Sequence, residues 1–192
     1  MVNEIGGKRV IGMFRLAVIG LGALVLGAGV ARAQFDAWYT VANAASHNSI
    51  EQVQALITRG NADLDSADSS SGHTALEYAA SFNNLAMAKL LLDHGAHVDA
   101  RDPIGGTALH WAAERGNLEM MRLLIDNKAG IDVQNRQGIT PLMSAASHAQ
   151  PGAVRLLIAS GADPRKQDYT GRDAFGWAAG QPAVTQALNA RR

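Results

Sequence analysis

The stretch GGTALHWAA, residues 105–113, decides the fold of this chain because its pattern returns at a constant interval. A glycine recurs every 33 residues, a helix-capping residue follows it two positions later, and an alanine pair follows five positions after that. The copies are Gly72, Thr74 and Ala79-Ala80; Gly105, Thr107 and Ala112-Ala113; Gly138, Thr140 and Ala145-Ala146; and Gly171, Asp173 and Ala178-Ala179. Repeats of this length indicate a solenoid, in which each unit is one supersecondary element stacked on its neighbours.

Each repeated position has a physical role in a pair of helices. The Thr begins the first helix, where its hydroxyl accepts a hydrogen bond from a free backbone N–H. The alanine pair lets neighbouring helices approach closely. A Leu-rich triplet such as Leu90-Leu91-Leu92 forms the apolar stripe of the second helix, and Gly95 and Gly161 end second helices in a left-handed turn. Lys128 occupies the position equivalent to Gly95, so we predict a left-handed lysine there.

At these residues the chain resembles the ankyrin repeat, whose signature is T-P-L-H-x-A-A. The resemblance spans about residues 36–190. It implies an all-α solenoid of stacked helix-turn-helix units whose β-hairpin loops project to one side. The repeat domain is expected at 34–192, with an atypical unit at each end. The five expected units are about 36–67, 68–100, 101–133, 134–166 and 167–192.

Residues 1–33 have the three parts of a cleaved signal peptide. Basic residues come first, Leu16 to Ala31 carry no charge, and Ala31-Arg32-Ala33 supplies small residues before a cleavage point at Gln34. The absence of cysteine suits an oxidising compartment, so the expected location is the bacterial periplasm. Two alternatives stay open: translation from Met13, and an uncleaved segment that tethers the protein to the membrane as a spacer.

Composition and motifs argue against several functional classes. The chain has 17 basic and 17 acidic residues, whereas nucleic-acid-binding domains are usually strongly basic. It contains no nucleophile elbow, phosphate-binding loop or zinc-protease motif. We therefore expect no enzyme activity, no cofactor and no metal site.

In a chain without cysteine, histidines are the candidate ligands for a metal or small molecule. The resemblance implies that His110 bonds to nearby loop backbone. His73 is expected to face water from its hairpin. His94 and His97 flank one loop, and they support only the alternative function of binding a metal or small ligand.

The resemblance implies that a partner protein binds the concave side, at the hairpin tips and the ends of the first helices. Tyr78, Trp111 and Trp177 recur at one repeat position and are interpreted as core filling, with an aromatic binding ladder as the alternative. We expect a monomer that acts as an accessory factor or as an immunity-type protein against a delivered toxin. The candidate partner-binding residues are Ser81, Phe82, Ile104, Glu114, Arg115, Arg136, Gln137, Ser147, His148 and Tyr169, with Ile139 as further exposed apolar surface.

Overall fold

The computed structural model describes residues 40–60 and 62–189, and the predicted signal segment lies outside this range. Ten helices occur in the described residues, in five consecutive pairs. They are α1 (Val41–Ser46), α2 (Ile50–Thr58), α3 (Ala75–Ser81), α4 (Leu85–Asp93), α5 (Ala108–Arg115), α6 (Leu118–Asp126), α7 (Pro141–Ser147), α8 (Pro151–Ala159), α9 (Ala174–Trp177) and α10 (Pro182–Leu188). None of these described helices has the length and apolar character that crossing a bilayer requires.

The helices form two parallel rows. The first helix of each pair packs on the first helix of the next pair, from α1 through α9, and the second helices α2 to α10 pack on one another in the same way. Each first helix also contacts the second helix of its own pair. This arrangement confirms the predicted all-α solenoid of stacked helix pairs.

The loops between pairs are tight turns, and the described residues contain no regular β-strand. In the loop before α5, the Asp102 N–H donates to the Gly106 carbonyl at 3.2 Å. The Asp102 carboxylate also accepts from the N–H groups of Ile104 and Gly106, at 2.9 and 2.7 Å. A side chain thus closes each short hairpin in place of a longer strand ladder, and this makes the tips compact.

The predicted threonine caps form at Thr74 and Thr140, and Thr40 adds another. Thr107, which was also predicted, makes no side-chain cap bond, and its hydroxyl contacts His110 Nδ1 at 3.0 Å. The hydroxyls of Thr40, Thr74 and Thr140 accept hydrogen bonds from backbone N–H groups three residues later. Pro141 occupies the first turn of α7, where no N–H is needed. These local bonds place each first helix directly after its hairpin tip, so residues of the tip and the helix share one side of the repeat.

The core runs continuously between the two rows. The alanine pairs of the three full repeats are fully buried, because a larger side chain there would hold adjacent first helices apart, whereas in the last unit Ala178 is buried and Ala179 is exposed. Leu91, Leu124 and Leu157 from the second helices fill the space behind them and are also fully buried. A fully buried leucine contributes roughly 1.5–3 kcal/mol relative to an exposed one, so stacking supplies most of the stability of each short helix.

Left-handed residues end helices in both rows. Gly95 and Gly161 have φ of +91° and +102°, and Lys128 has φ of +69°, which confirms the prediction for this lysine. The same geometry also follows the first helices, where the repeat pattern had not indicated it. There it occurs at Asn48, Asn83, Gly116, Ala149 and Gly180.

Candidate binding surface and a buried histidine–carboxylate cluster

Three large apolar side chains are exposed in the described residues, and all three belong to the predicted set. Phe82 is 47% exposed, Ile104 57% and Tyr169 72%. Ile139, which was expected to add exposed apolar surface, is half-buried and packs against the core, so that expectation was wrong. The remaining apolar surface is therefore concentrated at the end of one first helix and at two hairpin tips.

The hairpin tips form a connected row. The Arg136 N–H donates to the Ile104 carbonyl at 2.9 Å, and the Tyr169 N–H donates to the Gln137 carbonyl at 3.1 Å. Arg136 and Gln137 are exposed between the two apolar tips. Four of the predicted residues thus lie on adjacent tips held in fixed register by backbone bonds.

A cleft of about 190 Å³ opens beside the first helices α3 and α5. Ser81, Phe82 and Arg115, which the sequence nominated separately, line it together. The Phe82 ring stacks on the ring of Tyr78, with centroids 6.2 Å apart. The structure therefore joins the end of α3 to the end of α5 in one concave patch. Its other lining residues are His73, Glu77, Tyr78 and Trp111.

The last three predicted residues lie further along the same row of helix ends. The Nε2 of His148 is 3.6 Å from the Glu114 carboxylate, so these side chains bridge α5 and the residue after α7. Ser147 contacts the other ring nitrogen of His148 at 3.0 Å and also donates to the Ser144 carbonyl at 2.9 Å. Glu114, Ser147 and His148 do not line the cleft. Glu114 precedes Arg115, which does.

The recurring aromatic position is half-buried, and its polar ends hold the hairpins. The Tyr78 hydroxyl donates to Asp68 Oδ2 at 3.1 Å, and the Trp177 indole donates to Asp168 Oδ2 at 3.0 Å. Burial opposes the charge of Asp68, but hydrogen bonds from Ser70, Ser71 and Tyr78 outweigh it and lower its pKa to about 2. These rings pack against the core, as the preferred interpretation predicted, and Tyr78 and Trp111 also line the cleft.

His73, Glu77 and Asp102 converge beside the cleft, a cluster that sequence analysis did not predict. The Nδ1 of His73 lies 3.5 Å from Glu77 Oε2 and 3.6 Å from Asp102 Oδ2. The His73 side chain is 27% exposed and each carboxylate side chain 1%. The expectation that His73 faces water was therefore wrong, because the next hairpin and the Trp111 ring, with its centroid 4.9 Å from that of the imidazole, cover it.

Glu77 occupies the repeat position that His110 occupies in the next unit. The imidazole of His110 accepts from the Thr107 N–H and contacts the Ile139 carbonyl at 3.0 Å, as the resemblance implied. The carboxylate of Glu77 instead accepts from the Thr74 N–H at 2.8 Å and the Asp102 N–H at 3.1 Å. This substitution at an otherwise regular position was the sequence signal that could have revealed the cluster.

Glu77 has an unusually high pKa for a carboxylic acid. Burial, the largest cause, and the negative charge of Asp102 together raise the pKa of Glu77 to about 8. The backbone N–H groups of Thr74 and Asp102 act in the opposite direction but do not compensate. Glu77 therefore binds a proton near neutral pH unless a positive charge stands beside it.

The loop histidines do not form a site in the described residues. The Nδ1 of His94 contacts the carbonyl of Leu90 in its own helix at 3.0 Å. His97 is 85% exposed, and its Nε2 is 4.0 Å from Asp65. Their separate partners give no support to the alternative of a metal or small-ligand site built from these two residues.

A comparison with known protein families identifies the repeats. The family model for ankyrin repeats, in three copies, matches residues 23–102 and 98–168. The first match begins within the predicted signal segment. No curated protein matches this chain. The matched ranges cover most of the sequence and include three of the four recurring glycines, Gly72, Gly105 and Gly138. The chain belongs to the ankyrin-repeat family.

Proposed function

We propose that this protein is a non-catalytic binding module that captures a partner protein on its hairpin tips and first-helix ends. Ankyrin repeats generally mediate protein–protein interaction, and domains of this family are typically non-enzymatic. The observation that carries the proposal is the exposure of Phe82, Ile104 and Tyr169 on that side of the repeats. Single exposed apolar residues are common, so the argument depends on their shared location.

The charges beside these residues suggest the chemistry of the partner. Arg115 lines the cleft with Phe82, and Arg136 lies between two exposed apolar tips. Neither arginine forms an ion pair within residues 40–60 and 62–189. Interfaces are enriched in aromatic residues and arginine, so the partner is expected to present apolar side chains flanked by carboxylates.

Alanine substitutions in the cleft test the proposal. Phe82→Ala and Arg115→Ala should each weaken partner binding by more than ~1 kcal/mol, about fivefold in Kd, because both lie at the centre of the patch. Partner capture is measured by crosslinking and pull-down from periplasm, followed by titration with the recovered partner. Arg122→Ala is the matched control, because Arg122 is an exposed arginine on α6, in the second row of helices.

Two results separate this proposal from its alternatives. Normal binding by both cleft variants would show that the partner uses another surface. Loss of binding together with a changed unfolding curve would indicate damage to the repeat, so each variant is first compared with the unmodified protein by urea denaturation. An accessory factor would be captured with an enzyme of the envelope, whereas an immunity-type protein would neutralise an added toxin.

We further propose export to the periplasm with cleavage after Ala33, supported by the Ala31-Arg32-Ala33 motif that follows a short uncharged segment. The mass and N-terminal sequence of the protein recovered from cells test this. A chain that begins at Gln34 is expected. A membrane-bound chain that retains Met1 or Met13 would contradict it and favour the tethered spacer.

A further inference from the structure

We propose that His73, Glu77 and Asp102 bind a divalent transition-metal cation of the Zn²⁺ class at the wall of the cleft. One ligand atom from each residue lies within 4.8 Å of the other two. An imidazole nitrogen and two carboxylate oxygens are a donor set that zinc accepts, with water in the fourth position. His73 and Glu77 share the cleft with the proposed partner contacts Phe82 and Arg115, but metal binding does not depend on a partner.

The spacing of the donors matches a tetrahedral ion better than a hydrogen bond. The His73 Nδ1 is 3.5 Å from Glu77 Oε2 and 3.6 Å from Asp102 Oδ2. Ligand atoms bonded at ~2.0–2.2 Å to one tetrahedral ion lie ~3.3–3.6 Å apart. Hydrogen bonds between nitrogen and oxygen are shorter, at ~2.7–3.2 Å. The two separations from His73 Nδ1 therefore already suit one tetrahedral ion, and the third, between the Glu77 and Asp102 oxygens, is within 4.8 Å.

The Asp102 carboxylate has an oxygen that the rest of the fold leaves unsatisfied. Its side chain is 1% exposed, and neither Asp102 Oδ2 nor His73 Nδ1 has a hydrogen-bond partner in the described residues. At Asp168 the equivalent oxygen accepts from the Trp177 indole, and the Asp68 carboxylate likewise accepts from an aromatic side chain, the hydroxyl of Tyr78. A buried acceptor without a partner is costly, and a cation would satisfy it.

Backbone donors already hold both carboxylates in position. The Asp102 Oδ1 accepts from the Ile104 and Gly106 N–H groups, which leaves Oδ2 directed at the cluster. The Glu77 oxygens accept from the N–H groups of Thr74 and Asp102. Such second bonds to ligand oxygens orient metal ligands in known sites. The partly exposed His73 ring gives an ion access from the cleft.

The ligands come from two repeat units, so metal binding should also stabilise the stack. His73 and Glu77 flank the start of α3, and Asp102 lies in the hairpin of the next unit. Because the unfolded chain does not hold these groups together, the cation binds the folded state preferentially and raises the free energy of unfolding.

Zinc titration of the purified full chain, after treatment with chelator, tests the site. We expect one Zn²⁺ per chain by calorimetry, a higher Tm, and a visible d–d spectrum with Co²⁺ as the probe. Asp102→Asn should weaken Zn²⁺ binding at least tenfold while it preserves the hairpin, because Asn135 closes the next hairpin through its Oδ1 in the same way. His73→Ile introduces the residue found at the equivalent position, Ile139, and should have the same effect on Zn²⁺.

Controls make each outcome decisive. His94→Ala and His97→Ala should leave Zn²⁺ affinity unchanged, and so should Phe82→Ala, which tests partner binding separately. An unmodified protein that binds no Zn²⁺ or Co²⁺ would overturn the proposal. Full affinity in Asp102→Asn and His73→Ile would also overturn it, as would loss of binding in the loop-histidine variants.

Discussion

Replacing Ala149 by glycine should stabilise this protein, although it removes a side chain from the end of a helix. Ala149 follows α7 with φ of +56°, in the left-handed region. Its N–H donates to the Ala146 carbonyl at 3.3 Å, and the residue is exposed. The substitution therefore loses little packing and changes mainly the backbone energy.

The expected magnitude comes from two opposing effects. A Cβ in left-handed geometry costs roughly 1–2 kcal/mol, and glycine removes that strain. Glycine also loses more conformational entropy on folding than alanine, which costs roughly 0.5–1 kcal/mol. The difference is a gain of about 0.5 kcal/mol in the free energy of unfolding, and it corresponds to a rise of ~1–2 °C in Tm for a chain of this size.

Urea denaturation, monitored by circular dichroism, measures this change in the free energy of unfolding. The comparison is valid if the dependence of that free energy on urea concentration is the same in both proteins. Gly95→Ala is the mirror experiment, because Gly95 has φ of +91° and no heavy atom lies within 4 Å of a Cβ built there. By the same two opposing effects it should lose about 0.5 kcal/mol. A destabilised Ala149→Gly variant, or an unaffected Gly95→Ala variant, would refute the argument from left-handed geometry.

Three further predictions follow from the described contacts. Lys128→Gly should stabilise the protein less than Ala149→Gly or leave it level, because it also removes a favourable charge worth ~0.3–1 kcal/mol near the C-terminus of α6; urea curves at low and high salt check this. The pKa of Glu77 is about 8 in the folded state against the ordinary value of 4.5, so folding takes up a proton between these values. The free energy of unfolding, measured with chelator present, should therefore fall as pH rises through this window by up to ~1.4 kcal/mol per pH unit, and Glu77→His should flatten that slope. Gly138→Ala should destabilise more than Gly171→Ala, because only the first added Cβ meets backbone, 2.7 Å from the Tyr169 nitrogen; equal losses in thermal melts would contradict this.

The fold could be predicted from the sequence because its decisive features are local. A threonine caps a helix through an N–H three residues away, and a glycine or Lys128 turns the backbone within one residue. The period of 33 residues then requires every unit to solve the same packing problem in the same way. Such short-range rules need no knowledge of distant contacts, so the helix pairs, their caps and the left-handed lysine followed from the residues alone.

The candidate partner surface was only partly predictable. Repeat position indicated that Phe82, Ile104 and Tyr169 would be exposed, and they are. Ile139 is also near a hairpin tip, but it lies one residue before the cap and packs inward. The cleft shared by Phe82 and Arg115 depends on how closely α3 and α5 stack, a distance that no single repeat encodes.

The repeat, its period, the starts of the first helices and the ends of the second helices could be predicted from local residue patterns, whereas the left-handed ends of the first helices were not. Tertiary structure alone decided the environment of His73, Glu77 and Asp102. Glu77 and Asp102 are 25 residues apart and meet only because one hairpin stacks on the next. The burial of His73 and the raised pKa of Glu77 depend on the neighbouring unit. A hairpin histidine is solvated in an isolated unit and becomes enclosed when the following unit covers it.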